Sequence, residues 1–251
     1  MSDYLPYEIL SATGKSPILL ICDHATNIIP ETVQGGDLGL PETEMNRHIA
    51  FDIGAREVTL ELARLLDAPA VLSRFSRLVI DPNRGEDDPT LVMKLYDGTI
   101  IPANRHINQA EITHRIDNFH RPYHQTITRT LDTMEENGVI PQIISIHSFT
   151  PRLKGKADRP WHVGILWDRD DRIVLPLMDA LRADGDIVVG DNEPYSGELN
   201  GDSMYRHGTS RDLPHALIEI RNDLICEETG QKDWAKRLAK HLHEIILAPK
   251  Q

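Results

Sequence analysis

Two histidines, each closing an apolar run, carry the clearest chemical signal in this sequence. Ile18-Leu19-Leu20-Ile21-Cys22 leads into Asp23-His24-Ala25-Thr26-Asn27, and Ile143-Ile144-Ser145-Ile146-His147 leads into Ser148-Phe149-Thr150-Pro151. A short apolar stretch giving way to small and polar residues reads as a buried strand entering a loop, so both histidines are expected at strand carboxyl ends. His48 is a third candidate, predicted one turn from Asp52 on a helix over about Thr43 to Leu66. Neutral imidazoles bind zinc well, and a hydrolytic zinc site takes three protein ligands while keeping one position open for water. His24, His48 and His147 are therefore the candidate metal ligands. Asp23 and Asp52 are candidates to orient the imidazoles, and either is an alternative to His48 as a ligand.

Glu219 interrupts the apolar run Ala216-Leu217-Ile218-Glu219-Ile220 with a charge that is costly to bury without a partner. It is the candidate general base, with a structural ion pair to Arg221 or another arginine as the alternative. Arginines recur beside strand and turn signals, in Ser76-Arg77-Leu78, Asp81-Pro82-Asn83-Arg84 and Asp158-Arg159-Pro160. A guanidinium grips a carboxylate with two parallel hydrogen bonds, so several converging would suit a small acidic substrate. Pairing with surface carboxylates accounts for others. The sequence contains no HExxH, GxSxG, Walker or GxGxxG motif. Tyr195–Gly201, rich in glycine, reads as a substrate-facing loop or a surface turn.

The elements that must hold these groups alternate between strand and helix. Strands are predicted at Ile18–Cys22, Ala70–Leu72, Leu78–Ile80, Ile143–His147, Trp161–Trp167, Asp186–Val189 and Ala216–Ile220, after an irregular start. Beyond Thr43–Leu66, helices are predicted over Asn108–Glu136, with a kink or break at Pro122 and a stop at Asn137-Gly138, and over Val174–Ala183 and Gln231–Leu247. Long functional loops fill Asn27–Pro41 and Asp81–His106. This order predicts an α/β fold, three-layer αβα around a central mixed, mostly parallel sheet, with ligands bound outside the strand carboxyl ends.

The chain has 251 residues and a formal net charge of −12. That length suits a single domain over residues 1–251, and the charge argues against nucleic acid or an anionic membrane as partner. Cys22 and Cys226 sit in apolar settings without metal or redox spacing, which predicts buried free thiols in a reducing, cytoplasmic compartment. The first residues lack a basic region followed by an apolar core, and no run is long enough to span a membrane.

Five blocks in order resemble the N-formylglutamate amidohydrolase family: Cys22–Asn27, His48–Ala55, Ser76–Arg84, Ser145–Phe149 and Glu219–Asp223. The resemblance runs from about residue 17 to 225. The family is similar to zinc-dependent exopeptidases and N-acetylmuramoyl-L-alanine amidases, in which two histidines, a glutamate after the first and a late catalytic Glu form the site. His24, His48, His147 and Glu219 fall at those places, with His48 or Asp52 where the amidases carry Glu. The resemblance implies a zinc-exopeptidase-like fold and a metal, zinc, as cofactor. It also implies hydrolysis of N-formyl-L-glutamate to formate and glutamate, as in histidine degradation. Arg77, Arg84, Arg159 and Arg221 would then hold the substrate carboxylates. The alternatives are cleavage of another N-acyl amino acid or small peptide, and a metal- or metabolite-binding protein without turnover. A homo-oligomer is compatible with either.

Overall fold

A computed structural model describes residues 4–10 and 16–248. In chain order the strands are β1 (Tyr7–Leu10), β2 (Ile18–Cys22), β3 (Ala70–Ser73), β4 (Leu95–Tyr96), β5 (Thr99–Ile100), β6 (Gln142–Phe149), β7 (Val163–Leu166), β8 (Val189–Asp191) and β9 (His215–Arg221). The helices are α1 (Glu42–Met45), α2 (Ala55–Leu66), α3 (Gln109–Arg115), α4 (Arg121–Glu136), α5 (Val174–Ala183), α6 (Ser203–His207) and α7 (Glu228–Leu242). Seven strands form one sheet in the order β1-β3-β2-β6-β9-β7-β8, and β4 and β5 form a separate hairpin. The pairs β3·β2, β2·β6, β6·β9 and β7·β8 are parallel, whereas β1·β3 and β7·β9 are antiparallel. The predicted mixed, mostly parallel α/β sheet is therefore observed.

Strand periodicity sorts the core into two layers. Along β2, Ile18, Leu20 and Cys22 pack with α2, α5 and α7, while Leu19 and Ile21 face Phe119, Tyr123, Ile127 and Leu131 on the other side. The same alternation sends Ile144 and Ile146 of β6, and Ala216, Ile218 and Ile220 of β9, into the first layer. Each fully buried Leu, Ile or Val contributes about 1.5–3 kcal/mol, so both sheet faces are firmly committed. On the second face, Ile143 and Leu217 are followed by Ser145, His147 and Glu219 at alternate positions, so the apolar floor becomes polar toward the strand carboxyl ends.

Several boundaries differ from expectation. The helix predicted over Thr43–Leu66 is interrupted: α1 ends at Met45, α2 begins at Ala55, and His48 and Asp52 lie on irregular backbone between them. Gly54 makes the break, with φ +79 and a backbone so close to Ile225 that a Cβ would stand 2.1 Å from its carbonyl oxygen. Leu78–Ile80 is buried but forms turns rather than a strand. Pro122 breaks nothing, because a π-helical turn at Ile116–His120 absorbs the irregularity and the proline sits in the first turn of α4. The start of the chain includes strand β1, and β8 lies later than the predicted Asp186–Val189. Cys22 is buried as expected, but Cys226 is exposed. No helix among the described residues is long and apolar enough to cross a membrane.

Candidate metal centre

Strands β2, β6 and β9 are neighbours, and each delivers a polar group at its carboxyl end. His24 stands just beyond β2, while His147 of β6 is in register with Glu219 of β9. Asp52 reaches the same point from the segment before α2, where its amide donates to the His24 carbonyl at 3.0 Å. The ligand atoms of His24, Asp52 and His147 all lie within 4.8 Å of one another, and all three residues are buried. Nδ1 of His24 is 3.3 Å and Nδ1 of His147 is 2.8 Å from Asp52 Oδ2.

The opposite ring nitrogens are also fixed by carboxylates. His24 Nε2 donates to Asp81 Oδ1 at 2.6 Å, and His147 Nε2 donates to Asp23 Oδ2 at 3.0 Å. Asp23 in turn accepts from Tyr123 of α4 and Ser203 of α6, and Arg77 bridges Asp52 and Asp81. A proton on each Nε2 leaves both Nδ1 atoms directed at the Asp52 oxygen as lone-pair donors once a cation replaces the protons between them. Two imidazoles, one carboxylate and carboxylates behind the imidazoles form a donor set suited to a divalent metal.

The electrostatics favour this reading. Burial alone would raise the Asp52 carboxyl, but His24 and His147 outweigh it and hold Asp52 well below the usual carboxylate range. Burial likewise opposes charge on His147, yet its hydrogen bonds to Asp23 and Asp52 push its pKa well above the ordinary imidazole value. The centre thus stabilises positive charge although its residues are buried, and metal binding there displaces protons. Replacing Asp81 by Asn, which removes the charge that orients His24, is expected to weaken metal binding by about ten- to a hundredfold. Competition against a metal-sensing dye measures it, and unchanged affinity would deny Asp81 that role.

Asp52, and not His48, occupies the third position of this group. His48 is carried aside by the break between α1 and α2: its Nε2 is 3.5 Å from Asp97 Oδ2 in the β4–β5 turn. It lines the adjoining cavity of about 260 Å³, and burial, helped by Arg47 and Arg77, lowers its pKa to about 4 despite Asp97. Tyr96 of the same hairpin lies over Arg77, ring centroid to guanidinium 5.3 Å, and also lines the cavity.

Glu219 is in the cavity wall, 7% exposed, with Oε2 buried and without a hydrogen-bond partner among the described residues. Burial, reinforced by Asp52 and opposed chiefly by His147, raises its pKa to about 7. It has no ion pair with Arg221, whose guanidinium is held by Asp223 and by the carbonyls of Arg159 and Trp161. Arg221 therefore does not line the cavity. Arg159 stands behind the wall, stacked on Tyr195 and Phe149 and donating to the Tyr195 hydroxyl. Arg77 lines the cavity with its charge committed to Asp52 and Asp81. Arg84 lines it too, donating only to the Asn83 carbonyl among the described residues.

Asp81, Tyr96 and Asp202 were not expected at the site. Asp202 caps α6 through the Tyr205 amide, lines the cavity, and is raised by burial to about 7. Asp81 had a readable signal, since Ile80-Asp81-Pro82 repeats the pattern of an acid closing an apolar run seen at Cys22-Asp23. The loop Tyr195–Leu199 forms part of the wall.

Comparison with known proteins gives consistent results. A family model described as N-formylglutamate amidohydrolase matches residues 16–226. An N-formylglutamate deformylase from Pseudomonas putida is 25% identical over 253 residues, covering 93% of this chain and 90% of its own. The crystal structure of a gene product from Agrobacterium tumefaciens is 30% identical, with TM-score 0.91 over 97% of this chain and 96% of that one. An N-formylglutamate amidohydrolase structure from Ralstonia eutropha JMP134 superposes with TM-score 0.68 at 20% identity, over 96% of this chain and 99% of that one.

Proposed function

Since the chain belongs to the N-formylglutamate amidohydrolase family, and so to hydrolases of amide bonds, we propose that it cleaves the formamide of N-formyl-L-glutamate, giving formate and L-glutamate. The observation that carries this reading is the convergence of His24, Asp52 and His147 beside Glu219 in one cavity wall. His24, Asp52 and His147 would hold a divalent ion, zinc by the chemistry of the donors. Bound there, the ion supplies Lewis acidity toward the formyl oxygen and makes water a stronger acid.

The residues of the chain do the rest. Glu219, ionised, takes a proton from the water that attacks the formyl carbon and returns it to the amine nitrogen as the C–N bond breaks. Formate and the free amino group are the products, and the carboxylate of Glu219 is regenerated. Arg84 is the cavity guanidinium with charge to offer a substrate carboxylate, and Tyr195, whose hydroxyl accepts from Arg159 behind the wall, is in the lining for a second. Neutral His48 and the ring of Tyr96 complete the lining.

The substrate is thus a small acidic one. The cysteine usage of the sequence supports a cytoplasmic enzyme, working as a single domain or an oligomer of it, and membership of the family supports a place in histidine degradation. Formate release from N-formyl-glutamate, N-formyl-aspartate and N-formyl-methionine tests the assignment. Preference for the glutamate derivative is expected, and equal rates on all three would refute it.

A pH dependence follows from Glu219. The base works when ionised, so kcat/KM should rise with pH along a limb whose midpoint is no higher than about 7, because a bound cation adds to the forces favouring the carboxylate. A pH–rate profile checks this, and activity falling with pH through that range would contradict the role.

A further inference from the structure

A second group of imidazoles lies behind the cavity and takes no part in the chemistry above. His120 ends the π-helical turn, His124 is in α4 and His207 in α6, and each is at most 3% exposed. Ring centroids are 4.5 Å apart for His120 and His124, and 5.1 Å for the stacked pair His124 and His207. Carbonyl oxygens only accept, so the contacts fix the tautomers. His120 Nε2 donates to the Arg84 carbonyl and His124 Nε2 to the Pro82 carbonyl, each at 2.9 Å. His124 Nδ1 is left as an acceptor, and His207 Nε2 donates to it at 2.8 Å.

Accepting through Nδ1 requires His124 to be neutral. Burial, assisted by Arg206 and by the neighbouring imidazoles, holds all three below the ordinary range, His207 at about 3. For His120 the bond to the Arg84 carbonyl, then Glu86, with Oε1 4.0 Å from Nδ1, and Asp81 oppose it, as Asp23 does for His124 and His207, without prevailing.

Both accepting carbonyls belong to Pro82–Arg84, a stretch outside the strands. Its other side is held by α6: the Ser203 amide donates to Asn83 Oδ1 at 3.1 Å, and Gly85 and Gly201 touch so closely that a Cβ on Gly201 would meet Gly85 Cα at 2.9 Å. Asn83 and Arg84 line the cavity. An arginine side chain has many rotamers, and a fixed backbone limits where its planar fork can be presented.

We propose that His120, His124 and His207 are positioning residues that lock the Pro82–Arg84 backbone and so aim Arg84 at the anionic end of the substrate. The proposal rests on the reading of the substrate as an N-formyl amino acid with a side-chain carboxylate. The bonds are buried and load-sharing, so losing one imidazole donor leaves an unsatisfied carbonyl and a looser loop.

The test compares His120→Leu, His124→Leu and His124→Gln in the full-length protein. For N-formyl-glutamate, each Leu variant should raise KM by about tenfold with a much smaller change in kcat, a fold-change of the size expected for one buried hydrogen bond. KM for N-formyl-alanine should move far less. His124→Gln, whose amide can still donate to the Pro82 carbonyl, should recover most of the loss, and in an Arg84→Ala background His124→Leu should add nothing. Equal losses on both substrates, or additivity with Arg84→Ala, would overturn the proposal. Amide hydrogen exchange supplies a readout that needs no turnover: the peptide covering Asn83–Asp88 should exchange faster in the Leu variants while β6 stays protected. Unchanged exchange there overturns the anchoring role even if the wild-type protein cleaves none of the substrates, an outcome that would by itself refute only the functional reading.

Discussion

Replacing Glu219 with Gln is expected to lower kcat by about a hundred- to ten-thousandfold while metal content stays at the wild-type level. Glutamine keeps the shape of the side chain and removes its basicity. Glu219 is not one of the three residues whose ligand atoms converge, so the metal should be indifferent to the change. Its carboxyl is buried with one oxygen unpartnered, and its pKa of about 7 suits a group that must accept and then return a proton near neutrality. Removing the charge also removes the cost of burying it, the largest cause of the raised pKa, so the variant should be at least as stable as the parent. Measuring formate release beside elemental analysis separates the possibilities. Activity and metal lost together would make Glu219 a ligand, and neither lost would make it structural.

The second large effect distinguishes Asp52 from His48. Asp52→Asn should weaken metal binding by more than about a hundredfold, beyond the range seen for partners that only orient a ligand. Activity should fall with it. Asp52 also accepts from Arg77 and from the Ser148 amide, so the variant should unfold at a lower temperature. His48→Ala should retain the metal, because its imidazole points to Asp97 and lies outside the group formed by His24, Asp52 and His147. Its effect should fall on substrate affinity, since it lines the cavity. Metal loss in His48→Ala with retention in Asp52→Asn would reverse the assignment.

The contrast between these two residues also shows where sequence reasoning succeeds and fails. Strand ends were legible because a run such as Ile18–Cys22 or Ile143–Ile146 is buried on both faces, and whatever polar group closes it must sit where the strands of the sheet end. His24, His147 and Glu219 followed from that. The helical rhythm of Ile49, Ile53, Val58 and Leu62 suggested one continuous helix, but Ile49 is buried on irregular backbone for tertiary reasons. Left-handed Gly54 lets α2 begin only at Ala55, and on the irregular backbone before it Asp52 rather than His48 joins the imidazoles. Periodicity cannot reveal such a break, because it depends on the close approach of Ile225, far along the chain.

Arginines were harder still. Each of Arg77, Arg84, Arg159 and Arg221 has the same chemistry in a sequence motif, and only packing decides which guanidinium is already spent. Arg221 is committed to Asp223 and Arg77 to two carboxylates of the centre, leaving Arg84 at the cavity. The β4–β5 hairpin, two residues per strand, is too short for an alternating pattern to register, so the roof over Arg77 was invisible.

The most direct test is to strip the protein with a chelator, titrate zinc back, and follow formate release from N-formyl-glutamate. Activity should be absent after stripping and rise in proportion to added metal until about a single equivalent per chain is bound, as expected for a site with one set of three ligands. Full activity in demonstrably metal-free protein, or none at any loading, would contradict the account.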